Sequence, residues 1–185
     1  MKKAGRSFGD AEKDYRLGHI FYRSVSEFNQ ADAEMQKLEK DYKRDKEVPM
    51  IQKMFAVGER RTEAGVVAIM AAVAWIEQNL YAYTVRFLDA DSYEMHLDNL
   101  RLLTRYLLLP RLCQGKAIDE QNPAIHDLRE LIAARNAVIH PKKHIMYDDP
   151  LRAHKRLEKE SARFLTACRK LESTVAALKK LLSSD

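Results

Sequence analysis

The chain has 185 residues, enough for one domain with a real hydrophobic core and too few to divide comfortably into two. Hydrophobic residues make up 46% and charged residues 32%, with only 6 Gly and 5 Pro, a composition that argues against collagen, low-complexity disorder and a turn-rich all-β fold. The balance of 32 Lys and Arg over 27 Asp and Glu gives a net charge of +5, which permits nucleic acid as a partner without demanding it. The two cysteines, Cys113 and Cys168, are too few for a disulfide framework or a cysteine-built zinc site and point to buried thiols in a reducing compartment.

Lys2 and Lys3 lead into Gly5, Arg6 and Asp10 with no apolar run behind them, so no secretory signal is expected. Residues 11–46 contain no Pro. Phe21, Val25, Phe28, Met35, Leu38 and Tyr42 recur there at spacings of three, four and seven, the mark of one long amphipathic helix, with an interruption open at Gly18. Glu12 with Arg16 and Glu39 with Lys43 lie four apart and support a solvated charged face. Val48 and Pro49 break this helix, because proline lacks the amide donor. Residues 61–88 are the most apolar segment, carrying Val66, Met70, Val73, Ile76, Leu80 and Leu88, and predict a central buried helix. Its longest nearly apolar run, 64–76, falls short of the ~18 residues a bilayer requires, so the expectation is a cytoplasmic protein with no membrane partner.

Asp91 and Glu94 resemble a capping box opening a third helix with Leu97, Leu100, Leu103, Leu107 and Leu108, which Pro110 ends. Residues 110–123 read as a loop long enough to suggest a functional role. A fourth helix over 124–139 is closed by Pro141, and a second loop over 142–149 leads to Pro150, well placed in the first turn of a last helix. That helix carries Leu157, Phe164, Leu165, Cys168, Leu171, Val175, Leu178 and Leu181. The predicted class is all-α, an antiparallel bundle of four or five helices, with residues 1–50 an N-terminal helical segment packed on a bundle formed by 51–185.

Several chemistries fail on spacing. No Glu has a His three residues later, so the di-iron carboxylate motif is missing, as are HExxH, GxGxxG and GxxxxGK. What remains is RNAVIH, residues 135–140, followed at once by Pro141, Lys142, Lys143 and His144. At about 100° per residue, Leu128, Leu131, Ile132, Val138 and Ile139 share one apolar arc, and Arg135 falls near its middle. Glu77 projects in the same way from the apolar stripe of the second helix. Two opposite charges on apolar faces suggest a pair, Glu77 with Arg135, that either orients the guanidinium or merely fixes helix register. His140 lies four residues after Asn136 at the helix end, where it serves acid–base chemistry or simply caps the helix dipole.

RNAVIH resembles the Arg-Asn-x-x-x-His signature of HEPN domains, small helical bundles many of which are metal-independent RNA endonucleases in toxin, phage-defence and RNA-surveillance systems. The resemblance extends to AWIEQNLYAY, to YLLLPRLCQGKAID and to LRELIAARNAVIHPK, and so covers roughly 66–143. With the Asn required directly after the Arg, about 0.014 such matches are expected by chance in a chain of this composition. The resemblance implies a HEPN-like bundle acting as a homodimer with facing signatures, and attack of an RNA 2′-OH on the adjacent phosphate without a metal or other cofactor. Carried over, His140 is the general acid or base, Arg135 stabilises the pentavalent phosphate, Asn136 orients His140 or the RNA, and Glu77 fixes Arg135. Lys142 and Lys143 would hold flanking RNA phosphates. In a toxin setting an antitoxin protein would be a partner. The reading from a different class is a non-catalytic HEPN-like module that binds or scaffolds protein or RNA.

Overall fold

The computed structural model describes residues 8–45, 48–139 and 150–183. Six α-helices account for nearly all of them: α1 (Phe8–Asp45), α2 (Val48–Thr84), α3 (Ala90–His96), α4 (Leu102–Gln114), α5 (Pro123–Ile139) and α6 (Pro150–Ser183). The all-α class follows, with no strand among the described residues.

α1 runs without interruption past Gly18, where the Trp75 indole lies against the backbone, close enough that a Cβ would meet its ring at 3.4 Å. Val48 and Pro49 begin α2 instead of sitting in a long connection, since a first-turn proline has no intrahelical donor to lose. α2 is therefore longer than the apolar run suggested, because its first turns pack Met50, Met54 and Val57 on Met35 and Leu38 of α1. An 18-residue stretch of α2 is apolar enough, by length and composition, to cross a membrane, and 56% of that stretch is buried inside the molecule. Such burial is what a central core helix provides.

The third expected helix is two. Asp89, not Asp91, caps α3, its carboxylate accepting from the Ser92 amide and hydroxyl at 2.7 Å each. Leu97 to Leu100 form turns, and α4 restarts on a different face, burying Leu102, Arg105, Tyr106 and Leu109 while Leu103, Leu107 and Leu108 are half-buried. Pro110 lies inside α4 and is buried there; the helix stops at Gly115, whose φ of 71° is the left-handed conformation that glycine adopts at least cost. The Gly115 amide donates to the Arg111 carbonyl and the Lys116 amide to that of Pro110. The expected long loop shrinks accordingly to 116–122.

α2 is the axle of the fold. α1 lies antiparallel along it, and a single cluster joins Phe21, Val25 and Phe28 of α1 to Ile69, Ile76 and Leu80 of α2, Tyr106 and Leu109 of α4, Leu128 and Leu131 of α5, and Leu171 and Leu178 of α6. α6 runs parallel to α2. Gly65 of α2 faces the Phe164 ring and Cys168, and Lys179 sits 3.5 Å over the Trp75 ring. α5 runs antiparallel to α6, with Glu130 on Arg163 at 2.9 Å and Asp127 on Lys170 at 3.0 Å.

Candidate functional site

Arg135 and Asn136 lie in the last turns of α5, four and three residues before its end at Ile139. His140, Lys142, Lys143 and His144 lie outside the described residues. Arg135 is half-buried and Asn136 exposed, and the Arg135 Nη1 donates to the Asn136 side-chain oxygen at 3.1 Å. The Arg135 Nε is buried with no hydrogen-bond partner. An unmet buried donor costs about 1–3 kcal/mol, and a guanidinium with free donors matches a phosphate or carboxylate in two-point geometry. The Nε atoms of Arg61 and Arg105 are buried and unpartnered in the same way, so the groups of Arg135 that an oxyanion could meet are its Nη nitrogens, one of them beside Asn136.

Glu77 does not meet Arg135. Its carboxylate accepts from Arg105 Nη2 of α4 at 3.0 Å, while Arg105 Nη1 donates to the Tyr93 hydroxyl at 2.7 Å and to Asp98 at 3.1 Å. The reason is axial. Glu77 follows Trp75, which is level with Lys179 near the end of α6, whereas Arg135 follows Glu130, which is level with Arg163. Those two levels of α6 lie about 25 Å apart at 1.5 Å per residue. Both charges do occupy apolar stripes, but at opposite ends of the molecule. Arg105 was the missed partner, and its signal was present in the sequence, since it lies with Leu102, Tyr106 and Leu109 at helical spacing.

A second charged cluster also went unread. Asp32 of α1, with only 8% of its side chain exposed, receives Arg169 Nε and Nη2 of α6 at 2.8 and 2.9 Å and Arg61 Nη1 of α2 at 3.2 Å. Gln36 adds a fourth hydrogen bond at 3.0 Å. Hydrogen bonding to Arg169 foremost holds the Asp32 carboxyl below its ordinary value, with the charges of Arg169 and Arg61 helping and burial opposing. Its signal was the seven-residue gap between Phe28 and Met35, which Asp32 fills at the helical position.

Burial pushes the Cys168 thiol up to about 12 and raises that of Cys113, so neither is an activated nucleophile. Among the described residues no three His, Cys, Asp or Glu side chains are grouped to hold a metal ion. A cleft of about 470 Å³ between α1 and α2 is lined by Arg23, Ser24, Glu27, Glu34 and Glu63, and one of about 200 Å³ between α5 and α6 by His126, Asp127, Glu130, Arg163 and Lys170. Neither includes Arg135 or Asn136. Against this arrangement of residues, no family model, curated protein or solved structure matches the chain.

Proposed function

We propose that the chain is a HEPN-type endoribonuclease, a toxin or defence effector that cleaves RNA as a homodimer without a metal ion. The observation that carries this reading is the Arg135 Nη1 donating to the Asn136 side chain, which sets two residues of the signature side by side near the end of α5, five and four residues before His140 in the sequence. A half-buried guanidinium ready for an oxyanion is what charge build-up on phosphorus requires. In the proposed reaction the 2′-OH attacks the adjacent phosphorus and the bond to the 5′ oxygen breaks. The products are a 2′,3′-cyclic phosphate and a 5′-hydroxyl. His140 takes the proton from the nucleophile or gives one to the leaving oxygen. Asn136, held by Arg135, orients the guanidinium as well as the RNA. Glu77 has no part in this arrangement, because its carboxylate is engaged by Arg105.

The experiment is incubation of the purified protein with a mixed RNA pool in excess EDTA. Cleavage leaving cyclic phosphate ends is expected, and Arg135→Ala and His140→Ala should each abolish it with helical content unchanged. Strict dependence on Mg²⁺ would exclude the mechanism. A wild-type protein inert on every RNA would favour the second reading, an interaction module.

A further inference from the structure

The N-terminal part of α6 is strongly basic. Over 150–163 it carries five cations, Arg152, Lys155, Arg156, Lys159 and Arg163, against two carboxylates, Glu158 and Glu160. At 100° per residue the five cations and Lys170 fall within an arc of about 100°, and Glu158 and Glu160 lie outside its two edges. The core stripe of this helix, Phe164, Cys168, Leu171 and Val175, lies on the other side. Arg152, Lys155, Arg156 and Lys159 are all exposed. Arg163 and Lys170 are neutralised by Glu130 and Asp127, which leaves the excess charge toward the N-terminal end of the arc. Arg152, Lys155 and Lys159 make no ion pair with any described residue.

Register connects this arc to the end of α5. Arg163 meets Glu130 and the two helices are antiparallel. Arg135 lies five residues onward from Glu130, about 7.5 Å, and the same rise backward from Arg163 falls between Lys159, four residues back, and Lys155, eight back. We infer that the exposed cationic arc of α6, centred on Arg152, Lys155 and Lys159, binds the phosphate backbone of a single RNA strand and leads it to Arg135 and Asn136. The inference rests on the RNA reading above and adds the surface that holds the substrate. Cations at steps of three and four residues repeat every ~4.5–6 Å along a helix, a spacing suited to successive phosphates. Contacts of this kind are made to phosphate and are sequence-independent, so the arc supplies affinity and not base choice.

The test is fluorescence anisotropy of a labelled single-stranded 2′-O-methyl RNA 20-mer, which lacks the nucleophilic hydroxyl and cannot be cut, with the full chain over a salt series. Combining Arg152→Ala, Lys155→Ala and Lys159→Ala should weaken binding at least about tenfold, and lower the slope of log K against log salt by about 2, at about 0.7 per lost phosphate contact. Replacing Arg86, Arg101 and Arg111 with Ala removes the same charge from exposed residues at the far end and should leave affinity within about twofold. Equal losses in the two triple variants would overturn the inference, since net charge alone would then suffice. So would competition by polyglutamate as effective as that by RNA of equal charge, which would assign the arc to an acidic protein. A wild type that cleaves RNA while the arc variant binds it normally overturns the arc and leaves the nuclease standing. A wild type that binds RNA through the arc but never cleaves it supports the arc and removes the catalytic reading.

Discussion

At the scale of single residues, which partner is buried decides what a charge pair contributes. Arg105 keeps only 8% of its side chain exposed, while Glu77 and Asp98 keep 44% and 61%. Removing the carboxylates strands a buried cation; removing the cation returns two carboxylates to water. Glu77→Gln combined with Asp98→Asn should therefore destabilise by about 2–4 kcal/mol, and Arg105→Met should cost clearly less, as measured by urea unfolding. A larger loss for Arg105→Met would show that its bond to the Tyr93 hydroxyl dominates. Asp32 behaves differently because it is the buried member and two guanidiniums converge on it. Asp32→Asn should cost about 2–3 kcal/mol at pH 7, at the low end for a buried pair because Arg169 is 47% exposed. The folded carboxyl lies below its ordinary 3.8, so the unfolded chain binds the proton first. The contribution of Asp32 is thus complete above that ordinary value and lost as pH falls through the folded one. Denaturation curves of wild type and variant should converge as pH drops below the ordinary carboxylate range, and a gap that persists there would mean that packing, not charge, sets the loss.

At the scale of elements, the helices that were easiest to read are those whose burial is continuous along one stripe. α1 and α6 hold their apolar spacing over most of their length, and α5 begins and ends within a residue of the span that Pro123 and Pro141 suggest. The segment after α2 was misread because five leucines favour more than one helical phase, and only packing against α2 and α5 in the shared core selects the face with Tyr106 and Leu109. Pro110 misled for a related reason: its missing donor is one hydrogen bond, a cost that burial in the core offsets. The crossing of α2 and α6 offers a direct check. A Cβ on Gly65 would lie 2.8 Å from the Phe164 ring and 3.0 Å from the Cys168 sulfur. Gly65→Ala should cost about 1–2 kcal/mol, since overpacking outweighs the gain of under ~1 kcal/mol in helix propensity. Phe164→Leu in the Gly65→Ala background should recover part of the loss. Thermal melts of the four proteins give the coupling, and additive effects would place the strain elsewhere.

For the whole molecule, the central fact is that α1 lies inside the same core as everything after it. Phe21 and Phe28 are fully buried, and Val25 is 2% exposed, in the cluster that also holds Leu128 and Leu178. Each such side chain contributes roughly 1.5–3 kcal/mol, and a domain of this size has only about 5–15 kcal/mol in total. A chain of residues 51–185 alone should therefore melt without a cooperative transition by circular dichroism. A sharp melt near that of the full chain would make residues 1–50 an accessory. The all-helical class, the apolar stripes and the misplaced charges on them were legible from the amino acids, because helical phase is a local property repeating every 3.6 residues. Which charge meets which was not, because phase says nothing about height along a bundle. Glu77 and Arg135 both lie half-buried at the apolar stripes of their helices, and only the packing of α4 beneath α2 and the run of α5 along α6 gave Glu77 to Arg105 and left the Arg135 Nε without a partner. Height is set by loop lengths and by the sum of all helix contacts, neither of which any single segment encodes.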